Sequence, residues 1–242
     1  MAEALRALYE NPQTTVRSGA QRSALQAAML ARVLGGCAAG ATVVDVGCGD
    51  GTASLQALDV CRSSAGGPRL VGLDWSAAAA DQARSVGVTV ACCSSGNLPL
   101  ADDSVDVVIM GEVIEHLIDT DGALIEARRV VRPGGWLLLS TPNLAAWYNR
   151  VLLALGIQPV FSEVSLRRIY GRPGSEVVGH LRLFTKRALV GLVKANGFSN
   201  VRVAGAPYHD VPQLVRSLDR VMCKLPDLAS ILLLEAQVPL TG

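Results

Sequence analysis

The chain has 242 residues, of which 50% are hydrophobic and 18% are charged, and this balance excludes a disordered or collagen-like protein. Its 22 basic and 21 acidic residues leave a net charge of +1 and form no basic run, so we expect no nucleic-acid partner. The length suits one large domain, and we expect residues 1–242 to form it.

Hydropathy and cysteine spacing indicate where the protein resides. The mean hydropathy is +0.34, yet no run of roughly 18 apolar residues occurs, so no membrane span is expected. Charges at Glu3, Arg6 and Glu10 interrupt the stretch that a secretory signal would keep apolar. The six cysteines include no C-x-x-C pair, which is typical of reduced thiols. We therefore expect a cytoplasmic protein.

Short apolar runs alternate with helical patterns in the first part of the chain. Helices are predicted at 22–34, 52–61, 76–85 and 122–131, the last ended by Pro133-Gly134. Strands are predicted at 42–46, 69–74, 88–92, 106–110 and 135–140. Because the strands are continuous apolar runs separated by helices, we expect an α/β fold whose parallel sheet is covered on both faces.

The alternation ends after residue 140. Residues 143–184 hold five of the ten aromatic side chains of the chain. An insertion after a strand end is where a cover over an active site would lie. Beyond it the sequence predicts helices at 185–196 and 213–223 and strands at 199–204 and 231–238.

A glycine-rich loop follows the first predicted strand. Glycines at 47, 49 and 51 allow a tight turn and a close approach of a ligand to the backbone. A dinucleotide site is the alternative, but its G-x-G-x-x-G pattern requires glycine where Thr52 stands. The loop therefore favours a nucleoside with an amino-acid tail, and Asp74, at the end of the second strand, can accept both ribose hydroxyls. Asp45, inside the first strand, would orient the loop or bind an ammonium group.

The segment Gly111-Glu112-Val-Ile-Glu115-His116 follows the fourth predicted strand. In a helix, Glu112, Glu115 and His116 would share one face at the carboxyl end of the sheet, where such folds bind ligands. Two carboxylates and an imidazole there bind a divalent cation, form a hydrogen-bonded network, or supply a base to a substrate hydroxyl. The sequence leaves these alternatives open, and the donor set does not discriminate between Mg²⁺, Mn²⁺ and Zn²⁺.

Four segments together carry a family resemblance, namely VVDVGCGDG at 43–51, VGLDWS at 71–76, LPLADDSVDVVIMGEVIEHL at 98–117 and RRVVRPGGWLLLSTPN at 128–143. With them the chain resembles the class I S-adenosylmethionine-dependent methyltransferases, specifically the type 11 and ubiquinone-pathway O-methyltransferase group, over nearly its whole length. The resemblance implies a Rossmann-like fold with a seven-stranded, mostly parallel sheet whose last strand is antiparallel.

The resemblance also implies how S-adenosylmethionine would be held. The glycine loop would pass under the methionine part, Asp45 would lie near the amino group, Asp74 would bind the ribose, and Trp75 would lie beside the adenine. Relatives often carry an acid where this chain has Ser94, so Ser94 or Ser95 would accept the hydrogen bond from the adenine amine instead. The implied cofactor residues are Asp45, Gly47, Cys48, Gly49, Asp74, Trp75, Ser94, Ser95 and Gly111.

A second implication concerns a metal. Similar E-x-x-E-H segments in ubiquinone-pathway O-methyltransferases and in small-RNA 3′-terminal 2′-O-methyltransferases hold a divalent cation that engages substrate oxygens. In the latter a further histidine follows the strand-end TPN, and His180 matches it here. The implied ligands are thus Glu112, Glu115, His116 and His180, with His116 or His180 as catalytic base. Many relatives carry E-H-L with no known metal, so a structural role stays open.

The sequence therefore predicts an enzyme that transfers a methyl group from S-adenosylmethionine to a small-molecule acceptor, at oxygen. Two alternatives remain: a metal-dependent RNA 2′-O-methyltransferase, and a module of this fold that binds S-adenosylmethionine without turnover. The sequence gives neither the acceptor nor the oligomeric state.

Overall fold

The structure is a computed structural model that describes residues 20–37, 39–59, 67–174, 177–208 and 211–240. Within these ranges, no helix has the length and apolar character needed to cross a membrane. The helices are α1 (Ala20–Leu34), α2 (Thr52–Asp59), α3 (Ala77–Ser85), α4 (Thr120–Val130), α5 (Trp147–Ala154), α6 (Lys186–Ala195) and α7 (Arg216–Met222). The strands are β1 (Thr42–Val46), β2 (Arg69–Asp74), β3 (Thr89–Cys92), β4 (Val105–Gly111), β5 (Val131–Pro142), β6 (Ser199–Ala206) and β7 (Ile231–Gln237).

The seven strands form one sheet in the order β3-β2-β1-β4-β5-β7-β6. β1 to β5 pair in parallel, and β7 runs antiparallel to both of its neighbours, β5 and β6. The Rossmann-like fold with one antiparallel strand is therefore confirmed. The strand order reverses between β1 and β4, and ligands of such sheets bind where the loops leave this switch point.

Both faces of the sheet are covered, because its strands are apolar on both sides. α4 and α6 pack Leu124 and Leu189 against one face, and α1 and α2 pack Leu30 and Leu58 against the other. Several helices begin at a side-chain cap, as at α3, where Ser76 Oγ accepts from the Ala79 N–H. The sheet and its helices thus form a rigid base for the loops at its carboxyl edge.

Three sequence predictions need correction. Pro133-Gly134 was predicted to end the helix at 122–131, but it lies inside β5. Residues 132–135 of β5 stand opposite Asp106 of β4 alone, so the strand register shifts there. Proline is tolerated at this irregularity because its missing N–H has no pairing partner to lose. The segment at 112–116 is not an α-helix: Glu112 has a φ of 58°, and only Ile114–His116 form a 3₁₀ turn. The helix predicted at 213–223 divides into the 3₁₀ turn Gln213–Val215 and α7.

Candidate cofactor site and histidine cluster

The glycine loop joins β1 to α2 and has left-handed backbone at Gly47, Gly49 and Gly51. A Cβ on Gly47 would lie 2.4 Å from Cγ2 of Val113, so that glycine is required by packing. A Cβ on Gly49 would meet no atom of the described residues within 4 Å, so Gly49 faces open space in this part of the structure. A ligand can therefore approach the backbone at Gly49, whereas Gly47 allows the loop to lie against the segment after β4.

Asp74 ties this loop to the end of β2. One carboxylate oxygen accepts the Gly49 N–H at 2.9 Å, and the other accepts the Ser76 N–H at 2.9 Å. A carboxylate offers about four acceptor positions, so two remain for hydroxyl donors such as those of a ribose. The neighbouring Trp75 side chain is 42% exposed, as a surface for a stacked base would be.

Asp45 is a buried acid at the carboxyl end of β1. The Ser54 hydroxyl donates to its carboxylate, and burial raises the pKa of Asp45 to about 7, with the charge of Asp74 acting in the same direction. Burial also raises the pKa of the Cys48 thiol, so Cys48 acts as a small apolar side chain here. A cavity beside the switch point brings together predicted cofactor residues, and its lining includes Asp45, Gly47, Cys48, Ser54, Gly111 and Glu112.

Among the described residues, the lining of that cavity does not include the predicted cofactor residues Gly49, Asp74, Trp75, Ser94 and Ser95. Ser94 is exposed, and its hydroxyl accepts the Gly96 N–H within its own turn. The predicted hydrogen bond from an adenine amine to one of these serines stays a prediction.

The sequence predicted that Glu112 shares a face with Glu115 and His116, and in the structure it does not. The left-handed turn at Glu112 follows directly on β4, and its N–H donates to the Ser140 carbonyl at 3.0 Å. Glu112 consequently lies on the wall of the cavity beside the switch point, next to Gly111 (this cavity is called the cofactor cavity below).

The structure instead brings Glu115, His116 and His180 together. Among the described residues they form the group of potential metal ligands, with donor atoms all within 4.8 Å of one another. The Nε2 atoms of His116 and His180 lie 4.0 and 3.9 Å from Oε1 of Glu115. Glu115 is 1% exposed, and its other oxygen accepts the Thr141 hydroxyl at 2.9 Å. One carboxylate oxygen and two imidazole nitrogens thus converge in a buried space.

The backbone determines the tautomer of both imidazoles. Nδ1 of His116 lies 3.1 Å from the Gly179 carbonyl, and Nδ1 of His180 lies 3.0 Å from the Phe161 carbonyl. Because a carbonyl only accepts, each Nδ1 carries the proton and each Nε2 carries a lone pair directed at the cluster. Metal-binding histidines are oriented in this way in proteins.

Burial keeps both histidines neutral. Burial is the main reason that the pKa of His116 is lowered to about 3, and the nearby His180 lowers it further. Burial likewise lowers the pKa of His180 to about 4. A general base works best when its pKa lies near the working pH, so these values favour a ligand role over the predicted role as catalytic base.

Glu163 organises the cluster, and sequence reasoning missed it. Its buried carboxylate accepts the N–H groups of Val178, Gly179 and His180 at 2.8, 2.8 and 3.2 Å. It also pairs with the Arg172 guanidinium at 3.1 Å. One carboxylate therefore fixes both the segment that carries His180 and the Gly179 carbonyl that orients His116. No motif surrounds Glu163 in the sequence, so no local signal could have found it.

Comparison with known proteins places this site in a family context. Residues 44–139 match the family described as "Methyltransferase domain". A "probable S-adenosylmethionine-dependent methyltransferase" of Mycolicibacterium smegmatis is 43% identical over 107 residues, which are 43% of this chain and 39% of that protein. A "ubiquinone biosynthesis O-methyltransferase" of Mesorhizobium japonicum is 30% identical over 135 residues, which are 53% of this chain and 49% of that protein. The resemblance predicted from the sequence is confirmed over this region.

Solved structures extend the match to the fold. An S-adenosylmethionine-dependent methyltransferase of Thermotoga maritima, titled a possible histamine N-methyltransferase, superposes with a TM-score of 0.59 at 18% identity over 96% of this chain and 99% of its own. A second S-adenosylmethionine-dependent methyltransferase structure, from Methanosarcina mazei, superposes with a TM-score of 0.61 at 19% identity. The match covers 86% of this chain and 98% of that one. At such identities the likeness shows the fold alone. The chain also spans less than half the length of the two curated relatives described above.

Proposed function

We propose that this chain, which carries a class I S-adenosylmethionine-dependent methyltransferase domain, is an enzyme that methylates an oxygen of a small-molecule acceptor beside a divalent cation. The observation that carries the proposal is the convergence of Glu115, His116 and His180, with both imidazoles held as neutral donors. The cluster lies where β4 and β5 end, at the same edge of the sheet as the glycine loop.

The cofactor would lie between the glycine loop and Asp74. The open space above Gly49 fits its close approach to the backbone, and the remaining lone pairs of Asp74 fit its ribose hydroxyls. Its ammonium group would favour the ionised form of Asp45, which is largely desolvated. The activated sulfonium requires no help in leaving, so the main task of the protein is alignment of the acceptor.

A divalent cation fits the histidine cluster by the chemistry of its donors. Glu115, His116 and His180 would hold it, since a carboxylate with two imidazoles suits Zn²⁺ and Mn²⁺ and tolerates Mg²⁺ less well. When bound, such a cation lowers the pKa of a hydroxyl that reaches it. Thr141 fixes the Glu115 carboxylate, while the Gly179 and Phe161 carbonyls fix the rings. The residues of the chain thus orient the acceptor oxygen and keep water away.

The similarity to ubiquinone biosynthesis O-methyltransferases supports oxygen as the acceptor atom. The net charge of +1 supports a small molecule over RNA. We further propose a cytoplasmic location and a single domain in which residues 143–184 cover the acceptor. The position of His180 near the end of that cover supports this arrangement.

The test is a screen of host extract with S-adenosylmethionine that carries a deuterated methyl group, read by mass spectrometry. We expect a deuterated product that requires the protein, disappears after chelation and returns with Mn²⁺ or Zn²⁺. A product that forms equally well in chelator would refute the cation and leave the methyl transfer standing. Calorimetry with S-adenosylhomocysteine and NAD⁺ completes the test: failure to bind the former refutes the enzyme, and binding without any product supports the non-catalytic module.

A further inference from the structure

Four exposed apolar side chains form a row along the last helical segment. Leu214, Leu218, Val221 and Leu225 are 95%, 41%, 55% and 58% exposed, although large apolar side chains are usually buried. Their spacing of four, three and four residues places them on one side of the helical stretch that α7 continues. Leu218 and Val221 belong to α7, whereas Leu214 lies in the 3₁₀ turn before it and Leu225 in the bend after it. The four side chains therefore lie on one exposed side of residues 213–225.

The opposite side of this stretch is firmly anchored. Asp219 is fully buried and accepts both the Trp147 indole N–H at 2.9 Å and the Ser230 hydroxyl at 2.6 Å. Cys223, four residues further, is buried as well. Because these contacts hold the inner side in place, the leucines cannot turn inward, and α7 is joined to α5 of the cover through Trp147.

Three exposed residues of this stretch are positively charged, and the nearby exposed acid Asp227 is paired with Lys186. Arg216, Arg220 and Lys224 follow one another at intervals of four residues and are exposed. The acid within 213–225 is Asp219, whose carboxylate is buried and hydrogen bonded. Three cations are concentrated here in a chain whose net charge is only +1, so the surface complements an anionic partner.

We propose that this surface docks on an anionic lipid bilayer. The apolar row would enter the headgroup boundary, and the long basic side chains would reach up to the lipid phosphates. A second copy of the chain fits less well, because a symmetric contact would bring two rows of cations together. A nucleic-acid backbone would satisfy the cations but leave four apolar side chains against phosphate. The surface, called the α7 face below, consists of Leu214, Leu218, Val221, Leu225, Arg216, Arg220 and Lys224.

Docking by this face would bring the cover to the lipid surface, since Trp147 opens α5 and is bonded to α7. α5 itself carries the exposed apolar residues Val151 and Leu153. The inference does not depend on the proposed methyl transfer.

The experiment is flotation of the full chain with vesicles of phosphatidylcholine alone or with one third phosphatidylglycerol. We expect binding to the anionic vesicles that is at least about tenfold stronger than to the neutral ones and that weakens with salt. The double variant Leu214→Ser/Leu218→Ser should lose about tenfold or more of this binding. The triple variant Arg216→Gln/Arg220→Gln/Lys224→Gln should lose the preference for anionic vesicles.

The control is Val86→Ser/Ile125→Ser, which removes two apolar side chains that are 49% and 57% exposed on other elements. It should bind vesicles like the unaltered chain, and S-adenosylhomocysteine affinity should be the same in every variant, which shows that each still folds. The inference is overturned if the chain does not bind vesicles. It is also overturned if binding survives the loss of the leucines but not the loss of the cations. If the chain does not bind vesicles but self-associates in the ultracentrifuge, and the leucine variant abolishes that self-association, the surface is a contact between two copies instead.

Discussion

The two halves of the candidate site are built in different ways. In the half that holds the glycine loop, Asp45, Gly49 and Asp74 belong to adjacent parallel strands and the loops that leave them. The end of β2 holds this loop through the Asp74 carboxylate, which accepts the Gly49 N–H, and through the Leu73 carbonyl. In the histidine half, Glu115 and Thr141 come from the ends of β4 and β5, and His180 comes from the far end of the cover.

This difference decides how each half would fail. The glycine half depends on local backbone geometry, so substitutions there act on cofactor affinity within one loop. The histidine half depends on carbonyls and a carboxylate that the cover supplies, so a residue distant in sequence, such as Glu163, can disturb both imidazoles at once. Variants in one half should therefore leave the ligand of the other half bound.

The largest effect is expected from His180→Ala. Loss of one of three donors should reduce Co²⁺ affinity, and product formation in the extract screen, by more than about 100-fold, above the 10–100-fold typical of residues that only orient a ligand. Calorimetry should show unchanged affinity for S-adenosylhomocysteine. Co²⁺ serves as the probe because its absorption spectrum reports binding directly.

Two variants serve as controls for His180→Ala. His209→Ala removes the third histidine of the chain, which lies outside the described residues and outside the proposed ligand set. It should bind Co²⁺ normally. Glu112→Gln should also retain Co²⁺ affinity, because Glu112 lies on the cofactor cavity. If Glu112→Gln abolishes Co²⁺ binding, the ligand set implied by the resemblance is right and the division into two halves is wrong.

In the glycine half, Asp74→Asn should weaken S-adenosylhomocysteine binding by about 1.5–3 kcal/mol, the usual worth of charge-assisted hydrogen bonds to two hydroxyls. Calorimetry measures the change, and Co²⁺ affinity should not move. Asp50→Asn makes the same change in the neighbouring glycine loop, where the carboxylate accepts the Thr52 N–H at 3.0 Å, and this variant should bind normally. Equal affinity of Asp74→Asn and the unaltered chain would remove the ribose assignment.

The same contrast explains what the sequence could predict. Apolar runs and capping residues fix β1 to β4 and the helices between them within a few residues, because each signal is local. The glycine loop and Asp74 were predictable for the same reason. The position of Pro133-Gly134 inside β5 was not, since it depends on a register shift against Asp106.

The histidine cluster was predictable only in part. The family resemblance implied Glu112, Glu115, His116 and His180 as ligands. The turn at Glu112 takes that residue out of the cluster through its φ of 58°, which no pattern of residue types encodes. The role of Glu163 arises from backbone N–H groups 15 to 17 residues away in sequence. Contacts to backbone atoms leave no trace in side-chain identity, so this part of the site required the structure.

Glu163→Gln tests that long-range organisation. An amide offers one oxygen where the carboxylate offers two, so the three N–H donors of the 178–180 segment would compete for it and both imidazoles would lose their fixed orientation. We expect a 10–100-fold loss of Co²⁺ affinity, about the effect of removing an orienting partner. Nitrogen NMR should show mixed tautomers of His116 and His180.

Glu235→Gln is the matched control for Glu163→Gln, because Glu235 is another buried acid paired with an arginine, Arg32. It should lower thermal stability and leave Co²⁺ affinity and the tautomers unchanged. If the role of Glu163 is purely structural, Glu163→Gln should likewise lower thermal stability and leave Co²⁺ affinity and the tautomers unchanged.

A smaller effect follows from the raised pKa of Asp45. Below pH 7 the carboxyl is mostly protonated in the protein without ligand, and an ammonium group favours the ionised form. S-adenosylhomocysteine binding should therefore release a proton at pH 6, and affinity should fall by at most about tenfold per pH unit below 7. Calorimetry in buffers of different ionisation enthalpy measures the release, and Asp45→Asn should show none.

The sign of the stability effect follows from the same pKa. The folded chain keeps a proton on Asp45 that the unfolded chain releases near its ordinary value of 3.8, so this group favours folding at low pH and loses that contribution as pH rises through about 7. Asp45→Asn should therefore be more stable relative to the unaltered chain at pH 8 than at pH 5.

The smallest effect separates the two glycines of the loop. Gly49→Ala places a methyl group in open space at a φ of 55°, so it should lower the free energy of unfolding by only about 1–2 kcal/mol, the penalty of left-handed backbone. Gly47→Ala has the same penalty and also drives its Cβ into Val113, so denaturant melts should show a loss larger by about 1–3 kcal/mol. Because the Gly49 methyl would occupy the space proposed for the cofactor, Gly49→Ala should lose more affinity for S-adenosylhomocysteine than its small stability loss explains. If Gly49→Ala binds normally, the cofactor does not approach the loop at Gly49, and the glycines would serve the fold alone.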